Sequence, residues 1–66
     1  MRKVPVEHVP NGSVVELDGF YGVVDTGNLI GVPDLSRRGL RVVDFWEKPG
    51  ELVAFGTLVT PLRRAL

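Results

Sequence analysis

Cysteine is absent from this 66-residue chain, so neither a disulfide staple nor a thiolate zinc site can reinforce it. That absence fits a reducing compartment. Histidine occurs once, at His8, which leaves little for metal binding or for proton transfer near neutral pH. No apolar stretch approaches the roughly 20 residues of a membrane-spanning helix. The opening Met1-Arg2-Lys3-Val4-Pro5 leads to Glu7 and Pro10 rather than to a hydrophobic segment, so no signal peptide is expected. Lys and Arg are missing from Val4 to Ser36, where Glu7, Glu16, Asp18, Asp25 and Asp34 occur. The chain also lacks any interval long enough for a sustained helix. Pro10-Asn11-Gly12, Asp18-Gly19, Gly27-Asn28, Pro33-Asp34, Gly39, Pro49-Gly50, Gly56 and Pro61 interrupt it throughout.

What lies between those interruptions is short, apolar and rich in Val, Leu, Ile and Phe, the composition of strands joined by tight turns. The expectation is a single all-β domain over residues 1–66, a small SH3-like barrel of five to seven short strands. A first strand or arm is expected around Lys3 to Val9, confined to a sheet edge by Pro5 and Pro10. Ser13 to Leu17 and Phe20 to Thr26 read as a hairpin about Asp18-Gly19, a pair suited to a two-residue loop with positive φ at both positions. Leu29 to Val32 follows as a strand. The loop Pro33 to Gly39 has room for one helical turn ended by Gly39. Leu40 to Trp46 and Glu51 to Phe55 make a second hairpin, Thr57 to Thr60 a last strand, and Pro61 begins a tail with a helical turn.

Register assigns the faces. With Leu17 opposite Phe20, one face holds Val15, Leu17, Phe20 and Val24, joined by Leu29, and is the expected core. The other holds Val14, Glu16, Tyr21, Val23, Asp25, Ile30 and Val32, too apolar for a face turned wholly to water. In the second hairpin Val43, Phe45, Leu52 and Ala54 are expected on one side, and Val42, Trp46, Val53 and Phe55 on the other. A chain this short buries only about 60% of its unfolded surface, so a substantial apolar face is left for a partner.

No motif for catalysis stands out. A Ser13–His8–Asp18 triad has neither the order nor the surrounding elbow such sites require. Glu7 and His8 are adjacent, so on a strand they point to opposite faces and cannot chelate together. The carboxylates lack a substrate cleft, and the glycines follow no phosphate-binding spacing. No catalytic residue, cofactor, metal ligand or small-molecule substrate is therefore expected.

Binding is better represented. From Arg37 onward Arg37, Arg38, Arg41, Lys48, Arg63 and Arg64 outnumber Asp44, Glu47 and Glu51, although the whole chain has net charge zero. Arg37, Arg38 and Arg41 near Phe45 and Trp46 have the composition of a single-strand nucleic-acid platform. The zero net charge argues against that use, because phosphate neutralisation supplies most of such affinity. Tyr21, Trp46 and Arg41 equally have the composition of a protein-interface anchor. The expected partner-binding set is Tyr21, Ile30, Arg37, Arg38, Arg41 and Trp46.

The segment Gly12-Ser13-Val14-Val15-Glu16-Leu17-Asp18-Gly19-Phe20-Tyr21-Gly22-Val23-Val24 resembles the opening hairpin of small SH3-like barrel proteins of tailed bacteriophages. Gly50-Glu51-Leu52-Val53-Ala54-Phe55 and Val59-Thr60-Pro61-Leu62 are similar to their closing hairpin, while the stretch from Gly27 to Gly39 is longer than theirs. The resemblance covers about a third of the chain and its motifs are general to barrel hairpins. It implies a viral, non-enzymatic adaptor: a virion structural protein that decorates or bridges capsid subunits, or else a small regulator that binds nucleic acid or a host factor. It implies a protein partner or a homo-oligomer, located in the virion or the host cytoplasm, with no membrane.

Overall fold

The computed structural model describes residues 2–25 and 34–63. Its elements are β1 (Val4–Pro5), a 3-10 turn (Val6–His8), β2 (Val14–Leu17), β3 (Phe20–Asp25), a second 3-10 turn (Ser36–Arg38), β4 (Leu40–Phe45), β5 (Glu51–Ala54) and β6 (Leu58–Arg63). The fold is all-β: the described residues form six antiparallel strands in one sheet, in the order β1-β6-β2-β3-β4-β5.

Turn chemistry sets the β2–β3 hairpin. Asp18 and Gly19 have φ of 51° and 87°, and Leu17 pairs with Phe20, as their sequence requires. Glu16 Oε2 accepts the Gly19 N–H at 2.7 Å, which ties the strand to its own turn. One residue before β2, the Ser13 carbonyl accepts the Val24 N–H at 3.0 Å, extending the ladder in the expected register. The Ser36–Arg38 turn ends where Gly39 adopts φ 73°.

One concave side of the sheet carries the core. Val15, Val24, Val43, Phe45, Val53 and Val59 meet there with Val6 and Val9 from the first turn and its flank. Leu17 and Phe20 pack against this cluster only partly buried, so they form its margin rather than its centre. Phe20 and Phe45 meet edge to face with centroids 6.3 Å apart. Gly22 lies opposite Phe45 in the ladder. A Cβ there would come within 2.9 Å of the Asp44 carbonyl, of Phe45 Cα and of the Phe45 ring, so glycine is the residue that leaves room for β4 at this crossing.

Three sequence expectations are corrected. The β4–β5 register pairs Val42 with Leu52 and Arg41 with Val53. Val53 therefore joins Val43 and Phe45 in the core, while Leu52 and Ala54 turn outward. The cause is the connection after Phe45. Lys48 N–H returns to the Phe45 carbonyl at 3.2 Å and Gly50 N–H to Asp44 Oδ1 at 2.8 Å, so the turn takes in Asp44 to Gly50 rather than four residues. An odd shift in register exchanges every face assignment. Second, the arm expected from Lys3 to Val9 is a two-residue strand followed by a 3-10 turn that pushes Val6 into the core. Third, Pro61 does not begin a tail. It lies inside β6 opposite Val15, where the register shifts beside Val14, and such an irregularity tolerates a residue with no N–H. The expected Leu29–Val32 strand and Ile30 lie outside the described residues.

Candidate functional site

Alternation along β2 and β3 sends Val14, Glu16, Tyr21 and Val23 to the convex side, away from the core. Glu16 stands directly opposite Tyr21, and Val14 opposite Val23. On the β4 side Asp44 stands opposite Val23. The ladder continues one residue past β4, since Trp46 N–H donates to the Tyr21 carbonyl at 3.0 Å. Trp46 therefore lies across from Tyr21 on the same convex face. The two rings are 65% and 52% exposed, more open than any other large apolar side chain among the described residues. Val14 and Val23 are half-buried beside them.

Two carboxylates border this aromatic pair, and both are anchored. Glu16 is held by Gly19 N–H and Asp44 by Gly50 N–H, each bond using one carboxylate oxygen. An exposed Trp–Tyr pair with neighbouring valines has the make-up of an interface anchor, where aromatic rings give large contact area for few rotatable bonds.

The expected arginine cluster is not assembled. Arg41 shares its face with Val43 and Val53 and turns toward the core side. Its Nη1 donates to the carbonyls of Val6 and Val9, both at 2.6 Å. Burial holds its pKa below the usual guanidinium range, with nearby Asp25 and Glu7 opposing that fall. Arg41 thus fastens the 3-10 turn to the sheet. Arg37 and Arg38 are exposed on the second 3-10 turn, before β4 begins. Trp46 follows the far end of that six-residue strand, roughly 20 Å away at about 3.3 Å per residue. Phe45 is buried and offers no stacking surface.

No family model, curated protein or solved structure matches the chain. The site must be read from its own geometry.

Two further hollows among the described residues are open to solvent. His8 and Ser13 line one of about 500 Å³ with Arg2, Val4, Pro61 and Leu62. Asp18 lines a different one of about 310 Å³, beside Leu17, Phe20 and Val53. Ser13, His8 and Asp18 therefore do not converge on one space. Glu7 has a structural partner: Oε1 accepts the Gly56 N–H at 2.8 Å, and this bond, chiefly, lowers its pKa from the ordinary carboxylate value. Among the described residues no three His, Asp or Glu side chains gather as a metal site, and no helix is long and apolar enough to cross a membrane.

Sequence reasoning found Tyr21 and Trp46 but not their juxtaposition. That depends on the β3–β4 pairing across the long connection after Asp25, which no turn motif announces. It also missed Glu16 and Asp44 as the border of the pair, because each reads in sequence as an ordinary solvated strand residue.

Proposed function

We propose that this chain is a non-enzymatic interaction module whose convex β2–β3–β4 face binds a larger protein. The observation that carries the reading is the side-by-side exposure of Tyr21 and Trp46 over half-buried Val14 and Val23. A domain this small that leaves its largest aromatic rings in solvent gains nothing for its own stability from them, whereas an interface would bury them with useful energy. β6 returns beside β2 in the sheet, which supports an SH3-like reading without distinguishing it from other small all-β folds. Within that reading the setting is a tailed-bacteriophage particle, with the chain decorating or bridging capsid subunits. This setting rests on the resemblance of Gly12–Val24, Gly50–Phe55 and Val59–Leu62 to phage barrel hairpins. The nucleic-acid alternative has less support, since Arg41 is engaged internally and the aromatic pair is bordered by carboxylates.

A random-peptide selection against the intact protein tests the module. The expected result is a set of binders that Trp46→Ala or Tyr21→Ala weakens by more than about 1 kcal/mol. Failure to select any binder, or binders that ignore both substitutions, overturns the reading.

A further inference from the structure

We infer that the Tyr21–Trp46 face takes an extended, basic segment of a partner protein, with an Arg or Lys side chain laid on the rings between Glu16 and Asp44. This deepens the interaction reading above and rests on it.

The register puts the parts in one place. Glu16 is the direct cross-strand neighbour of Tyr21, Trp46 continues the row on the other side, and Asp44 precedes Trp46 by two residues on the same face. Directly opposed strand residues have Cβ atoms about 5 Å apart, and diagonal neighbours about 7–8 Å. Both carboxylates therefore lie within reach of a cation resting on Tyr21, and Asp44 also within reach of one on Trp46. An aromatic face attracts a cation through its quadrupole, and the attraction rises when carboxylates share the site.

The carboxylates are held in place before any ligand arrives. The Gly19 and Gly50 amides each fix one oxygen, so binding a cation needs little further ordering of these side chains. The chain's own cations are used elsewhere where their contacts are described. Lys48 Nζ lies 4.6 Å from the centroid of the Phe20 ring, and Arg41 serves the Val6 and Val9 carbonyls. Val14 and Val23 continue the face as an apolar strip one pair further along. An extended peptide repeats its side chains every second residue, so a basic residue on the rings would place an apolar neighbour on the valines. A phosphate backbone or an acidic segment would meet Glu16 and Asp44 with like charge.

The test uses two eight-residue peptides of the repeat Val-Ser-Xaa-Ser, which puts Val and Xaa on one face of an extended chain, one with Arg at Xaa and one with Glu. Trp46 is the only tryptophan, so its emission reports occupancy directly. The expected result is binding of the Arg peptide alone, weakening as salt rises. The double variant Glu16→Gln with Asp44→Asn keeps an oxygen acceptor for each turn amide, and circular dichroism verifies its fold. Its affinity for the Arg peptide should fall roughly three- to thirty-fold, the combined effect of two exposed charge contacts. Equal binding of both peptides, binding of neither, an unchanged affinity in the double variant, or preference for single-stranded DNA overturns the inference. Selected peptides that depend on Trp46 but carry no basic residue would also overturn it, while leaving the interaction reading intact. Loss of all Trp46-dependent binding would instead remove that reading.

Discussion

Arg41→Ala is the most informative single perturbation of the fold. The guanidinium makes two hydrogen bonds of 2.6 Å to the Val6 and Val9 carbonyls, joining β4 to a segment 32 to 35 residues earlier. Hydrogen bonds from a charged donor are worth about 1.5–3 kcal/mol each, and burial of Val6 leaves its carbonyl poorly placed to find water in exchange. The two bonds share one nitrogen and the side chain is only partly buried, so their full sum does not apply and the loss is about 2–4 kcal/mol in all. A chain of 66 residues has total stability of roughly 3–10 kcal/mol. The loss is therefore a large fraction of the whole. At about 4–8 °C per kcal/mol for so small a domain, the melting temperature should fall by roughly 8–30 °C. Arg37→Ala and Arg38→Ala, at exposed positions, should stay within about 0.5 kcal/mol of the parent. Calorimetry and urea melts followed by circular dichroism measure all three. A melt for Arg41→Ala indistinguishable from the other two would refute the fastening role.

Gly22→Ala should cost about 1–3 kcal/mol, since the new methyl meets Asp44 and Phe45 backbone at 2.9 Å and only a strand shift relieves it; a urea midpoint equal to the parent's would show the ladder yields there. Trp46→Ala should leave stability within about 0.5 kcal/mol, because the ring is mostly in solvent; a large drop would reveal a packing role. The folded pKa of Glu7 lies below its unfolded value, so its contribution is present above the ordinary carboxylate range and is lost as pH falls through the lowered folded value. Glu7→Gln should accordingly be less stable than the parent at neutral pH and converge with it in acid, and parallel pH–stability curves would count against the Gly56 bond. Chelators should leave the melting temperature unchanged, and unfolding on chelation would disclose a metal site.

The sequence made the β2–β3 hairpin readable because Asp18-Gly19 names its own turn type, and that turn fixes the faces of Val14 to Val24. The strand class was readable for the same reason: Gly and Pro recur too often for helices. The β4–β5 register was not readable. Glu47-Lys48-Pro49-Gly50 looks like a complete four-residue loop, but the Gly50 N–H bond to the Asp44 carboxylate and the Lys48 N–H bond to the Phe45 carbonyl belong to a turn that begins earlier. Arg41 was misjudged because a long basic side chain on a short strand is ordinarily solvated. Nothing local signals that two carbonyls from Val6 and Val9 wait beneath it. The candidate face was half readable: Tyr21 and Trp46 stand out by composition, but their adjacency follows from a long-range strand pairing.

The sheet's borders bear on how this molecule meets others. β1 is two residues long and contains Pro5, which has no N–H to offer. β5 has four residues and gives way to a turn at Gly56, whose φ is 90°. Backbone rims this stunted are poor templates for another strand, so edge-to-edge stacking and fibre growth have little to build on. On the proposed reading, contact is left to the broad side of the sheet, where side chains rather than amides would do the recognising. Selectivity on such a surface can be rewritten one residue at a time without disturbing a single hydrogen bond of the ladder.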